Sequence, residues 1–157
     1  MLKGLSPYLT ADLLWVLKTM GHGEDLLVCD SNHPAGTIGK VSVSGRIIEL
    51  AGIDSPTAIR AILSLFPLDT YVDAPVRYME VVGDAERMLP ITREVHAICE
   101  EMEGRSVALG KLERFAFYAE ARKAFAVVRT SEFRPYGSFL LKKGVIFPPG
   151  AVGTQSS

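Results

Sequence analysis

His22 stands between Gly21 and Gly23, directly after a helix-like segment and directly before an apolar run, Leu26 to Cys29, that ends in Asp30. An imidazole titrates near ~6.5, so it can give or take a proton around neutral pH. Flanking glycines leave it uncrowded on a permissive backbone. Asp30 follows an interior strand, and ligands of α/β sheets collect at the carboxyl ends of strands. Taken alone, His22 reads first as a turn residue bonding a carbonyl at a helix end and only second as a proton-transfer group. Asp30 is equally well an Asx turn opening the loop that Asn32, Pro34, Gly36 and Gly39 mark over 30–39.

Other chemistries fit less well. His22, Cys29, Asp30 and His33 lie close in sequence, but their spacing matches no metal-ligand pattern, so no metal is expected. Gly36-Thr37-Ile38-Gly39-Lys40 lacks the spacing, the Lys-Ser/Thr ending and the following helix of a phosphate loop. A glycine–serine nucleophile elbow and a dinucleotide fingerprint are both missing, and no cofactor is expected. Arg114, Phe115, Phe117 and Tyr118 open a helix, where an arginine can grip an oxygen-rich ligand; the alternative is that Phe115 and Tyr118 are core and Arg114 is a solvated charge. In the turn Arg134-Pro135-Tyr136-Gly137-Ser138, two hydroxyls flank a glycine that lets backbone approach a ligand.

These residues need a frame. The pattern predicts a helix capped by Thr10, running to about Met20 and stopped by Gly21. Asp54-Ser55-Pro56 starts a second helix, and Ile59, Ile62, Leu63 and Phe66 give it one apolar face before Pro67. Val95, Ile98, Cys99 and Met102 form a third, closed by Gly104, and Phe115, Tyr118, Ala119 and Arg122 share a face of a fourth. Extended pieces are expected at Val41 and Val43, Ile47–Leu50, Val76–Val82, Val107–Leu109, Phe125–Val128 and Phe139–Leu141. Helices alternating with apolar strands argue for an α/β layered domain, a central mixed sheet flanked by helices, over residues 1–147. Residues 148–157 read as a loose tail.

The chain has 157 residues, 48% hydrophobic and 22% charged, with a formal net charge of −1. One domain with a well-buried core is expected. Basic residues are dispersed, which argues against nucleic acid as a partner. No run approaches the ~20 apolar residues of a membrane span. With no secretory pattern at the N-terminus, the expected location is cytoplasmic. The apolar surplus suggests burial against other subunits.

Read in order, the segments Met20-Gly21-His22-Gly23, the strand ending at Asp30, Pro34-Ala35, Leu68-Asp69-Thr70-Tyr71, Arg114-Phe115-Ala116-Phe117-Tyr118, Lys123 to Val128, Tyr136-Gly137 and Leu141 to Val145 resemble the L-fucose mutarotase and D-ribose pyranase family. The resemblance covers about residues 1–145 and lies closest to the fucose branch, which has arginine at the place of Arg114. It implies a cofactor-independent isomerase that interconverts anomers of a free monosaccharide, L-fucose first among them. The alternatives are a D-ribose pyranase or a non-catalytic sugar-binding accessory protein. It implies His22 as the general acid, with Asp30, Arg114, Tyr136, Gly137 and Ser138 contacting the sugar. Tyr118 is expected as an apolar wall and Asp69 as a further contact. Ser138 replaces the family's usual asparagine, and His33 stands where an aromatic residue is expected. Members assemble as ring-like homo-oligomers, with a decamer as a candidate size here. Eight fully extended steps from His22 to Asp30 would span up to ~26 Å, too far for one sugar, so either Gly21 to Gly23 folds back or the site is built from two subunits. The resemblance implies sites in clefts between subunits, so a shared site is expected.

Overall fold

The computed structural model describes residues 2–148. Among them the elements run α1 (Ala11–Thr19), β1 (Asp25–Cys29), α2 (Ala35–Val41), β2 (Ile47–Leu50), α3 (Ser55–Leu63), β3 (Val76–Met79), α4 (Pro90–Glu103), β4 (Leu109–Leu112), α5 (Arg114–Ala121), β5 (Ala126–Thr130) and β6 (Phe139–Lys142). The strands form one sheet in the order β2-β5-β1-β6-β3-β4. β6 is antiparallel to both its neighbours, and the other pairings are parallel. The sheet is therefore mixed, with helices on its faces. The carboxyl ends of β1, β3 and β4 and the start of β6 all lie along one edge.

β1 is apolar at every position from Leu26 to Cys29 because both its faces are covered. Leu26 and Val28 point into a larger core with α1, α3 and α4. Leu27 and Cys29 point into a smaller one with Ile38 of α2 and Phe117 and Ala121 of α5. The two cysteines divide between them, Cys99 lying in the larger core and Cys29 in the smaller. Burial pushes both thiols up to about 12.

Three helices begin or end where their capping residues predict. The Thr10 hydroxyl accepts from Leu13 N–H, Asp54 accepts from Thr57 N–H with Pro56 in the first turn, and Gly104 closes α4 in the left-handed conformation. Elsewhere the structure departs from the sequence pattern. The 30–39 stretch is not all loop, since α2 occupies Ala35–Val41 and takes up the residue expected to be extended at Val41. Two glycines and the lack of a side-chain cap hide this helix from propensity arguments. Packing supports it, with the Ile47 side chain lying where a Cβ on Gly39 would sit, 2.3 Å from that position. On α5 the buried face is Phe117 and Ala121, whereas Phe115 is 74% exposed. The helix is turned away from the expected face because Phe117 and Ala121 fill the smaller core against Leu27, Ile38 and Leu140. α4 starts already at Pro90, β3 stops at Met79, and the strand expected over 107–109 begins at Leu109. The expected tail at 148–157 lies, apart from Pro148, outside the described residues.

Candidate active site

A cavity of about 270 Å³ opens at the carboxyl edge of the sheet, between the end of β1, the end of β3 and the start of α5. Asp30, Arg114, Tyr118, Tyr136 and Ser138 line it together. Its carboxylate is held from both sides. Ser138 Oγ–H donates to Asp30 Oδ2 at 2.8 Å, and Asn32 N–H donates to Oδ1 at 2.9 Å. The Asx turn and the ligand-facing carboxylate are thus the same residue in the same conformation. Asp30 N–H in turn donates to Ser138 Oγ at 3.2 Å. Each carboxylate oxygen keeps a lone pair for a ligand hydroxyl.

The turn that delivers Tyr136 and Ser138 is built under constraint. Tyr136 has φ +62°, a conformation that non-glycine residues rarely take. Gly137 has no room for a side chain, since a Cβ there would lie 2.6 Å from Glu132 Cγ and 3.1 Å from the Arg134 carbonyl. Gly137 therefore serves the site from beneath, its carbonyl accepting from Ser55 Oγ–H at 2.7 Å. The buried Glu132 carboxylate accepts from Arg134 Nε–H at 2.9 Å and Nη2–H at 2.7 Å. Burial raises the Glu132 carboxyl and the Arg134 bonds outweigh it, leaving a net shift below the usual value. On the far side, Val82 N–H donates to the Tyr136 hydroxyl at 3.3 Å. Arg114 reaches the cavity from the first position of α5, its guanidinium 5.8 Å from the Phe115 ring centroid.

His33 also lines the cavity, a residue weighed above as a metal ligand and as a departure from an aromatic but not as a cavity wall. Its ring packs 5.3 Å from Tyr118 and edge-on to Phe117 at 6.0 Å. Nδ1 lies 3.5 Å from Ser138 Oγ. Burial drives the imidazole down to about 4, against the opposing pull of Asp30. At neutral pH it is uncharged. Pro135 of the turn and Asn32, Met79 and Val82 complete the lining, and no local motif marks the last three.

His22 is not in this cavity. It lies at the other end of β1, where Nε2–H donates to Asp69 Oδ1 at 3.2 Å. The same oxygen accepts from Tyr71 N–H at 3.0 Å, and the Tyr71 ring meets the imidazole edge-on at 5.5 Å. The Asp69 side chain is 3% exposed and that of His22 47%. With Nε2–H committed to Asp69, Nδ1 is the nitrogen left to exchange a proton. The sequence-derived residues therefore fall into two groups, His22 with Asp69 and Asp30 with Arg114, Tyr118, Tyr136 and Ser138. One strand of the same chain separates them.

Residues 3–146 match the RbsD / FucU transport protein family. The chain belongs to this family. It is 43% identical over 148 residues to a fucose mutarotase of Homo sapiens, covering 92% of this chain and 94% of that one. The fold superimposes on FucU from Bifidobacterium longum with a TM-score of 0.85 at 39% identity, over 92% of this chain and all (100%) of the other. The fucose mutarotase of Streptococcus pneumoniae, solved in complex with L-fucose, gives a TM-score of 0.77 at 32% identity, over 93% and 100%. As a member of the RbsD / FucU family, the chain keeps the same mixed α/β layout along nearly all its length.

Proposed function

We propose that the protein is a sugar mutarotase that interconverts the anomers of a free monosaccharide, L-fucose foremost, by acid–base-assisted ring opening. The observation carrying this reading is the cavity at the carboxyl edge, where a braced carboxylate, a guanidinium and two hydroxyls converge in a chain that matches fucose mutarotases over 92% and 93% of its length. At about 270 Å³ the cavity is at the small end of ligand pockets, as a single sugar ring requires.

A pyranose is a cyclic hemiacetal. To change anomer, the bond from the anomeric carbon to the ring oxygen breaks as that oxygen gains a proton and the anomeric hydroxyl loses one. The aldehyde turns about one bond and recloses. In the proposed assignment His22, as the imidazolium, delivers the proton from Nδ1 to the ring oxygen while solvent water takes the proton of the anomeric hydroxyl, and Asp69 holds the imidazole through Nε2–H. Asp30 accepts sugar hydroxyls, with Arg114, Tyr136 and Ser138 holding others, Gly137 shaping their turn and Tyr118 as the wall. A positioned acid–base pair typically supplies ~10² to 10⁴ in rate, which suits a reaction that already proceeds slowly in water. Proton transfer alone accounts for the chemistry, so the proposal includes no cofactor and no metal.

Because His22 and Asp30 sit at opposite ends of β1, the proposed site is completed by a second copy, whose His22 meets this protomer's cavity. Exposed apolar side chains flank both halves. Tyr71 is 60% exposed beside His22, and Val82 and Phe115 are 63% and 74% exposed beside the cavity. A ring-like homo-oligomer, with ten subunits as a candidate size, supplies such contacts. The proposal further includes a single catalytic domain over residues 1–147 acting in the cytoplasm. Among the described residues no helix is long and apolar enough to cross a membrane.

Exchange between the α and β anomer signals of L-fucose, followed by saturation-transfer NMR, tests the reading. The wild type accelerates exchange, and His22→Ala folds normally yet returns exchange to the spontaneous rate. Unchanged exchange in His22→Ala overturns the assignment of the acid.

A further inference from the structure

α1 ends in an unusual way. Its last carbonyls lack a left-handed cap, since Met20 is extended with ψ 136°. The carbonyls of a helix's last turn need donors. Here they come from the far end of the chain, with Lys143 Nζ donating to the Leu17 carbonyl at 2.7 Å and to the Met20 carbonyl at 2.5 Å. Burial lowers the Lys143 ammonium, consistent with a cation that has traded water for carbonyl oxygens. The neighbouring Lys142 reaches the other side of the same loop. Its Nζ donates to the Gly23 carbonyl at 2.9 Å and to Asp25 Oδ2 at 3.0 Å. Backbone bonds close the arrangement, Gly23 N–H donating to the Lys143 carbonyl at 2.8 Å and Lys143 N–H to the Glu24 carbonyl at 2.9 Å.

The bonds fall on either side of one short loop. The chain is gripped at Met20 and again at Gly23, and between those points lie only Gly21 and His22. Two glycines beside a histidine give the backbone many conformations, Gly23 taking φ +81°. The loop's own bonds are Gly21 N–H donating to Glu24 Oε2 at 2.6 Å and Glu24 N–H donating to the Gly21 carbonyl at 3.4 Å, and the two lysines add restraint from outside the loop. The Lys142 anchor is itself fixed, because Arg77 Nη2 lies 2.6 Å from Asp25 Oδ2 and Arg77 Nη1–H donates to Glu120 Oε2 of α5 at 3.1 Å. A lysine 19% exposed beside a carboxylate 12% exposed is shielded enough for this geometry to persist in salt.

We propose that Lys142 and Lys143 are positioning residues for the proton-transfer step, clamping the Gly21–Gly23 loop from its two sides so that His22 meets Asp69 and presents Nδ1 outward. This rests on the reading of His22 as the acid. Neither lysine lines the sugar cavity, so both act on turnover and not on sugar binding. The chemistry of the pair favours lysine. Its ammonium directs several N–H bonds from one point, which suits carbonyls converging from different residues.

The test is Lys142→Met, with Lys142→Arg as the conservative variant, assayed by L-fucose anomer exchange at varied sugar concentration. The expected result for Lys142→Met is a fall in kcat of roughly ten- to a hundred-fold with KM within about two-fold. The His22 imidazole NMR resonances shift in the same sample, and Lys142→Arg recovers most of the rate. A kcat within about two-fold of wild type overturns the proposal. So does a fall in kcat with the His22 resonances unmoved, which marks a merely structural role. Lys143→Met is the companion variant, and should it not fold, the partly exposed Lys142 decides. His22→Ala separates the two readings. If it leaves exchange intact, the acid is misassigned, whereas if it abolishes exchange and Lys142→Met does not, only the clamp is wrong.

Discussion

Replacing His33 by glutamine should remove a large part of the protein's sensitivity to mild acid. The imidazole sits 8% exposed against Phe117 and Tyr118, and burial lowers it from 6.5 to about 4. Asp30, at hydrogen-bonding reach of Ser138, is the charge that opposes the shift, while Arg114 lies on the same cavity wall. A group depressed on folding picks up its proton in the unfolded chain first. Stability therefore falls as pH drops from about 6.5 to about 4 and is fully present above that window. The whole gap corresponds to roughly 3 kcal/mol, of which about 2 kcal/mol is lost between pH 7.5 and pH 5. Urea unfolding of wild type and His33→Gln at those two pH values, at one fixed protomer concentration, measures it. Carboxylates elsewhere titrate alike in both proteins and cancel in the difference. The wild type should lose about 2 kcal/mol more than the variant. Parallel losses would mean that His33 is not held neutral in the folded protein, and the account of the cavity wall would fail with it.

Two further substitutions probe the supports of the two half-sites. A Cβ on Gly144 would lie 2.5 Å from the Leu68 carbonyl oxygen and 2.9 Å from Asp69 Cα, both backbone atoms that cannot rotate away. Gly144→Ala should cost roughly 1–3 kcal/mol in thermal or urea unfolding and also slow anomer exchange, because the segment it displaces holds His22. Glu132→Gln keeps the shape of the turn's anchor and removes its charge from beside Arg134. It should cost roughly 1–3 kcal/mol in urea unfolding and raise KM for the sugar, through looser placement of Tyr136 and Ser138.

The elements most legible in the sequence are those with local punctuation. Thr10, the Asp54–Pro56 start and Gly104 each solve a helix-end problem with residues next to it, so α1, α3 and α4 could be read directly. Gly21 shows the limit of that logic. It looks like a helix stop, yet the carbonyls it was expected to serve are met by Lys143, more than a hundred positions away. α2 fails to announce itself for a similar reason, since its stability comes from Ile47 lying over Gly39. In the site, the residue types were readable but not their grouping. Asp30 and Ser138 are 108 positions apart, and His22 and Asp69 are 47 apart. Only the sheet order, with β6 beside β1 and β3, decides which of them meet. His33 escaped a local reading because nothing in Asn32-His33-Pro34 shows that Phe117 and Tyr118 will enclose the ring.

The division of the two cysteines between the two faces of the sheet has a practical consequence. Both thiols are protonated and inaccessible in the native state, so a thiol-reactive label enters only when the chain opens. Cys99 lies among α4 and its neighbours, and Cys29 lies under α2 and α5. The protein thus carries one silent reporter in each layer. Pulse labelling followed by peptide mass analysis can time the loosening of the helices on one side of the sheet separately from those on the other, without adding a single foreign residue.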